Sequence, residues 1–91
     1  MTLGRVVGEV VATTKHRELM GLKLLLVQPV NAADTPSGKV VIAVDCAQAG
    51  VGDRVLVADE GNSAAQVLRR GRGAIRTVIV GVVDEVRIAS V

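Results

Sequence analysis

The sequence contains no phenylalanine, tyrosine or tryptophan, although 49% of its 91 residues are hydrophobic. Any core must therefore be built from valine, leucine, isoleucine and alanine. Proteins that bind single-stranded nucleic acid usually offer aromatic rings on which the bases stack. This chain has none to offer, so its composition argues against that class of binding protein.

Cysteine and long apolar runs are also scarce. Cys46 is the only cysteine, which excludes an intrachain disulfide and a cysteine-based zinc site and indicates a reduced, cytosolic thiol. No apolar run approaches the roughly 20 residues of a membrane-spanning helix, and residues 1–5 lack the layout of a signal peptide. We expect one cytoplasmic domain, residues 1–91, with no membrane contact and no cofactor.

Charge of either sign is modest, with a formal net charge of +2. That excess is too small to identify a polyanion as the partner. It comes from a single arginine cluster, which consists of Arg69, Arg70, Arg72 and Arg76. Such a cluster can bind a polyanion, pair with acidic groups of a neighbouring protein, or be no more than a solvated face.

What the sequence does contain is a series of short aliphatic runs separated by turn residues. These runs predict strands at residues 6–13, 21–30, 40–44, 54–58 and 77–83, the last of them prolonged towards Ile88. A short helix is predicted from Asn62 or Ser63 to Leu68 or Arg69. We therefore predict an all-β fold, a small five-stranded antiparallel OB-like barrel with one short α-helix.

Three of the predicted strands are apolar on both faces. Residues 24–27 are four aliphatic residues in succession, whereas a half-buried strand alternates apolar and polar residues. A barrel of this size buries only the inward set, and the outward set would form a patch larger than monomers usually expose. The pattern thus predicts a homo-oligomer.

Few residues are suited to catalysis. Cys46, Asp45 and His16 have the side chains of a thiol enzyme, but no oxyanion motif accompanies them, and Cys46 is better interpreted as a small core residue. We predict no catalytic residue and no metal site. Lys23 lies in an apolar strand, so we expect it to pair with Asp45 or Asp84, or to extend to the strand edge.

Two glycines flank a valine in the segment Ala49-Gly50-Val51-Gly52-Asp53. This spacing resembles part of a phosphate-binding loop, but the lysine and hydroxyl residue that end such loops are missing. One interpretation is a turn that needs a positive φ angle. The other is a glycine-lined constriction on the axis of an oligomer, where small residues let several copies of the backbone converge.

Taken in order, these residues resemble the EutN/CcmL family of bacterial microcompartment and carboxysome vertex proteins. The matching segments are Gly4-Arg5-Val6-Val7-Gly8, Ala12-Thr13-Thr14-Lys15-His16, Leu19, residues 21–29, Asp45, residues 49–53, Ser63-Ala64 and Val80-Gly81-Val82-Val83-Asp84. Family members often have glycine where this chain has Gln48. They also often read Pro-Val-Asp where this chain has Ala74-Ile75-Arg76, which reverses a charge at Arg76.

The resemblance implies a homopentamer at the corners of a cytoplasmic polyhedral shell, whose flat facets are hexameric shell proteins. It implies a structural protein rather than an enzyme. It places the pore-lining residues at Ala49, Gly50, Val51 and Gly52, and we predict shell contacts by Arg69, Arg70, Arg72 and Arg76. Nucleic acid is not an expected partner. The alternative hypothesis for the function is an OB-like nucleic-acid-binding module, and a small thiol enzyme is the third hypothesis.

Overall fold

Five strands follow the aliphatic runs in the computed structural model, which describes residues 1–11, 21–58 and 77–89. They are β1 (Thr2–Val10), β2 (Leu24–Pro29), β3 (Val41–Asp45), β4 (Arg54–Ala58) and β5 (Val78–Val82). The bounds of β4 are those predicted. The predicted helix between residues 62 and 69 lies outside the described residues, and the single-domain assignment to residues 1–91 stays a prediction.

The strands close into a barrel in the order β1-β2-β3-β5-β4, and β4 returns to pair with β1. Four of the five pairings are antiparallel, but β3 and β5 run parallel, with Val44 opposite Val78 and Asp45 opposite Ile79. The prediction of an antiparallel barrel was wrong, and the sheet is mixed. Strand direction cannot alternate all the way around a closed ring with an odd number of strands. Whether the barrel is OB-like stays a prediction.

Only β4 matches its predicted limits at both ends: β1 ends at Val10, β2 begins at Leu24 rather than at residue 21, and the limits of β3 move by one residue. The two largest differences are at the start of β1 and the end of β5. β1 begins four residues early, because Leu3 and Gly4 already pair with β4. β5 ends at Val82, and residues 83–89 form no regular secondary structure, so the predicted extension towards Ile88 was wrong. Both limits depend on which strands pair in the folded barrel, and the strand propensities of single residues do not predict that pairing.

Among the described residues, the barrel core consists of aliphatic side chains. The buried cluster consists of Val6, Leu25, Val27, Ala43, Ala49, Val55, Val57 and Ile79. Strands β1 and β2 approach closely at Gly4, where an added Cβ atom would lie 2.4 Å from Val27 Cγ1. Within the described ranges, no helix is long and apolar enough to span a membrane.

Candidate functional site: a glycine-rich loop and an apolar outer face

The connection between β3 and β4 is a loop, residues 46–53, which is held by hydrogen bonds to β1 and to the Asp53 side chain. The Gly52 amide donates to the Val6 carbonyl at 2.8 Å, and the Val6 amide donates to the Asp53 carbonyl at 2.9 Å. The Asp53 carboxylate accepts a hydrogen bond from the Gly50 amide at 2.8 Å. The loop is thereby fastened to β1 and has a defined shape.

Positive φ angles occur at two positions of this loop. Gly52 has a φ of 93°, as expected for a glycine required by a turn, and Gln48 has a φ of 56°. Gly50 is not in the left-handed region. The prediction of a turn that needs a positive φ is confirmed at Gly52. Gln48 adopts the same region although it carries a side chain.

Asp45 anchors the start of the loop from β3. Its side chain is 1% exposed, and it accepts hydrogen bonds from the amides of Ala47 at 3.0 Å and Ala49 at 3.0 Å. Lys23 Nζ lies 3.5 Å from Asp45 Oδ2 and donates to the Ala49 carbonyl at 2.8 Å. Of the alternatives predicted for Lys23, the pairing with Asp45 is the one that the structure shows, and the lysine side chain stays half exposed. The buried carboxylate therefore has both hydrogen-bond donors and a counter-charge.

Arg5 links the glycine-rich loop to the β2–β3 connection. Its guanidinium donates to the Gly52 carbonyl at 2.6 Å and forms an ion pair with Asp34. Sequence reasoning missed the roles of Arg5 and Asp53. An available signal was the aspartate directly after a glycine-rich turn, since such a residue commonly accepts hydrogen bonds from local amides.

The four predicted pore residues differ in exposure. Ala49 is buried in the barrel core, Gly50 is partly exposed, and Val51 and Gly52 are exposed, with Val51 at 66%. The tip of the loop, residues 50–52, therefore presents one aliphatic side chain and glycine backbone to its surroundings. The pore-lining role itself stays a prediction.

The outer face of β1, β2 and β3 carries an apolar patch. Leu26 lies between Gly8 of β1 and Ile42 of β3 on this face. Ile42 is 44% exposed, and a register shift between Val6 and Gly8 leaves Val7 half exposed. Val40 beside them is also exposed, and we call Val7, Leu26, Val40 and Ile42 the outer apolar patch. The predicted second apolar face of β2 is thus present.

The cysteine is not buried as predicted. Cys46 is exposed at the start of the loop. The prediction that Cys46 is a core residue was wrong, because the chain turns out of the barrel directly after Asp45. Partial desolvation raises the pKa of the Cys46 thiol, and the neighbouring Asp45 carboxylate raises the pKa further. A thiol with a raised pKa is a poor nucleophile at neutral pH, which argues against a thiol enzyme.

Other predicted residues are not placed by the structure. His16 and the arginine cluster Arg69, Arg70, Arg72 and Arg76 lie outside the described residues. Among the described residues, no group of three or more histidine, cysteine, aspartate or glutamate side chains could hold a metal ion. The candidate features among the described residues are thus the glycine-rich loop and the outer apolar patch.

Residues 1–84 match the protein family described as ethanolamine utilisation protein EutN/carboxysome. The chain is 37% identical over 86 residues to the microcompartment shell vertex protein EutN of Salmonella typhimurium, covering 94% of this chain and 86% of the relative. It is 38% identical over 90 residues to the carboxysome shell vertex protein CcmL of a Synechocystis species, covering 99% and 89%.

Solved structures show the same likeness. The fold superposes on the GrpN pentameric microcompartment shell protein from Rhodospirillum rubrum with a TM-score of 0.85. That pair is 38% identical, and the alignment covers 98% of this chain and all of the other. Nothing in these similarities supports the alternative prediction of a nucleic-acid-binding module.

Proposed function

The chain belongs to the EutN/carboxysome family, and we propose that it is a homopentameric vertex protein of a bacterial microcompartment shell. The family match over residues 1–84 is the observation that carries this proposal. Relatives named as shell vertex proteins support a structural rather than an enzymatic role.

The role follows from the geometry of a closed shell. A sheet of hexagonal tiles is flat, and pentagonal tiles introduce the curvature that closes it. The outer apolar patch supports assembly, because the half-exposed side chains of Val7, Val40 and Ile42 are more favourable against another protomer than against water. Hexameric facet proteins are the partners that such a pentagonal tile would meet at its edges.

We place the tip of the glycine-rich loop near the five-fold axis. Small residues let five copies of a backbone approach one another, and the loop is fastened by Asp45, Asp53 and Arg5 rather than free to move. Because Ala49 is buried in the core, the residues that would face the axis are Gly50, Val51 and Gly52.

Two measurements test the proposed function: the mass of the assembled protein and the closure of shells that contain it. Native mass spectrometry should give five times the protomer mass. Co-expression with hexameric shell proteins should yield closed polyhedra, whereas omission of this chain should leave open or elongated shells. A different stoichiometry, or equal closure without the chain, would contradict the vertex role.

The position of the loop has its own test. In a Cys46→Ala background, Val51→Cys should form disulfide-linked dimers on oxidation, provided neighbouring Cα atoms lie within about 7 Å. A ring of five identical thiols leaves one unpaired, so covalent species beyond the dimer are not expected. A pentamer that forms no dimers would show that the tips lie away from a narrow axis.

A further inference from the structure

The residues after β5 leave the barrel without joining its sheet. The Val83 amide donates to the Arg54 carbonyl at 2.7 Å. Beyond it, no backbone group of residues 84–89 hydrogen-bonds to another described residue. Among the described residues, this segment is therefore not part of the barrel sheet.

This post-barrel segment, residues 84–89, has a polar side and an apolar side. Arg87 Nε donates to Glu85 Oε1 at 3.0 Å, which places these two side chains together. Side chains two residues apart share a face of an extended chain, and the residues between them point the other way. Val86 and Ile88 alternate with this pair along the chain, and Val86 is partly buried whereas Ile88 is 70% exposed.

The outer apolar patch supplies a surface of matching chemistry. Leu26 and Ile42 are cross-strand neighbours, and Val7 and Val40 extend the patch on either side. The patch lies on β1, β2 and β3, whereas the post-barrel segment is anchored on β4 through Arg54. The two surfaces are thus built from different strands of the barrel.

We propose that the post-barrel segment of one protomer binds the outer apolar patch of the adjacent protomer. The inference rests on the proposed pentamer, because a ring requires each protomer to present two different and complementary surfaces. Val86 and Ile88 would pack on Leu26 and Ile42, while Glu85 and Arg87 face solvent. The occupant is a second copy, since in its own protomer the segment leaves Ile88 uncovered.

Chemical cross-linking tests this contact. In a Cys46→Ala background, the pair Ile42→Cys and Ile88→Cys is treated with a short, flexible bis-maleimide and separated by denaturing electrophoresis. Each link should join residue 42 of one protomer to residue 88 of the next, giving a ladder up to a covalent pentamer. The matched control, Ile42→Cys with Arg87→Cys, places the second thiol on the solvent face and should give a several-fold weaker ladder.

Assembly of a single variant provides a second measurement. Ile88→Asp should raise the protomer concentration at half-assembly by about tenfold, the effect of removing one buried aliphatic side chain. Arg87→Ser should leave that concentration within about twofold. Both positions are exposed in the protomer, so neither change disturbs the barrel.

The outcomes separate this inference from the function on which it rests. A pentamer by native mass spectrometry that gives no ladder, or only cross-links within one chain, would overturn the inference and leave the vertex role standing. An unmodified chain that is not a pentamer would remove both.

Discussion

Gln48 adopts a backbone conformation that favours glycine, with a φ of 56°. A residue with a Cβ atom is disfavoured there by roughly 1 kcal/mol. Gln48→Gly should therefore raise the free energy of unfolding by about 0.5 kcal/mol, the greater flexibility of unfolded glycine offsetting part of the gain. Urea unfolding at fixed protein concentration measures the change.

Gln48→Ala is the matched control, because alanine keeps the Cβ atom and the backbone strain. It should show no gain. Equal stabilisation by alanine and glycine would mean that the glutamine side chain, rather than its φ angle, destabilises the loop.

Asp45 and Lys23 are expected to differ in their contributions to stability. Asp45→Ala leaves the amides of Ala47 and Ala49 without their acceptor, so the free energy of unfolding should fall by about 2–4 kcal/mol. Lys23→Met removes a half-exposed partner while those two hydrogen bonds remain, and should cost about 1 kcal/mol. Unfolding at fixed concentration checks both values, because assembly adds a concentration dependence.

Glu85→Ala is the control for this pair of variants. Its ion pair with Arg87 is exposed, so the loss should stay below about 0.5 kcal/mol. If Asp45→Ala were no worse than Glu85→Ala, the loop would not depend on its buried carboxylate.

At the scale of the element, the two faces of β2 are expected to respond differently to charge. Leu25 is 1% exposed in the core, whereas Leu26 lies on the outer face next to Ile42. Leu25→Asp should unfold the barrel, because an unpaired carboxylate would be buried. Leu26→Asp should leave the barrel folded and weaken assembly. Circular dichroism and sedimentation distinguish the two outcomes, and a folded pentamer of Leu26→Asp would exclude β2 from the interface.

The elements that could be predicted are those whose signal is local. The run at residues 24–27 predicted both a strand and its second apolar face, and Arg54–Ala58 was bounded correctly. The parallel pairing of β3 with β5 depends on which strands become neighbours in the barrel, and no local sequence pattern predicts this. Cys46 was misplaced for a similar reason, since burial depends on where the chain leaves the barrel.

In the candidate site too, contacts that follow from a local requirement could be predicted, and contacts between distant loops could not. A cation beside an apolar run favours a nearby carboxylate, so the sequence named Asp45 and Asp84 as partners of Lys23 or placed it at the strand edge, and the structure shows Asp45. Arg5 was missed because its partners, Gly52 and Asp34, come from two separate loops that only the closed barrel brings together.

At the scale of the whole molecule, we propose that assembly and shell contact use different parts of the chain. The proposed contacts between protomers use the outer apolar patch and the side chains of Val86 and Ile88, and none of these residues is charged. A pentameric tile must also meet its neighbours in the shell. The arginine cluster is the predicted contact for that purpose, and the charge reversal at Arg76 relative to the family suggests that the contact is particular to this shell.

Replacing Arg70 and Arg72 by glutamate tests whether shell contact and pentamer assembly use different residues. The double variant should remain a pentamer by native mass spectrometry, because the proposed protomer contacts are apolar and lie elsewhere. Its recovery with co-expressed shells should fall several-fold, since charge pairs across an interface become repulsive when one sign is reversed. Replacing the same two residues by lysine keeps the charge and should preserve most of the recruitment. Unaltered recruitment of the glutamate variant would show that the shell contact lies outside the arginine cluster.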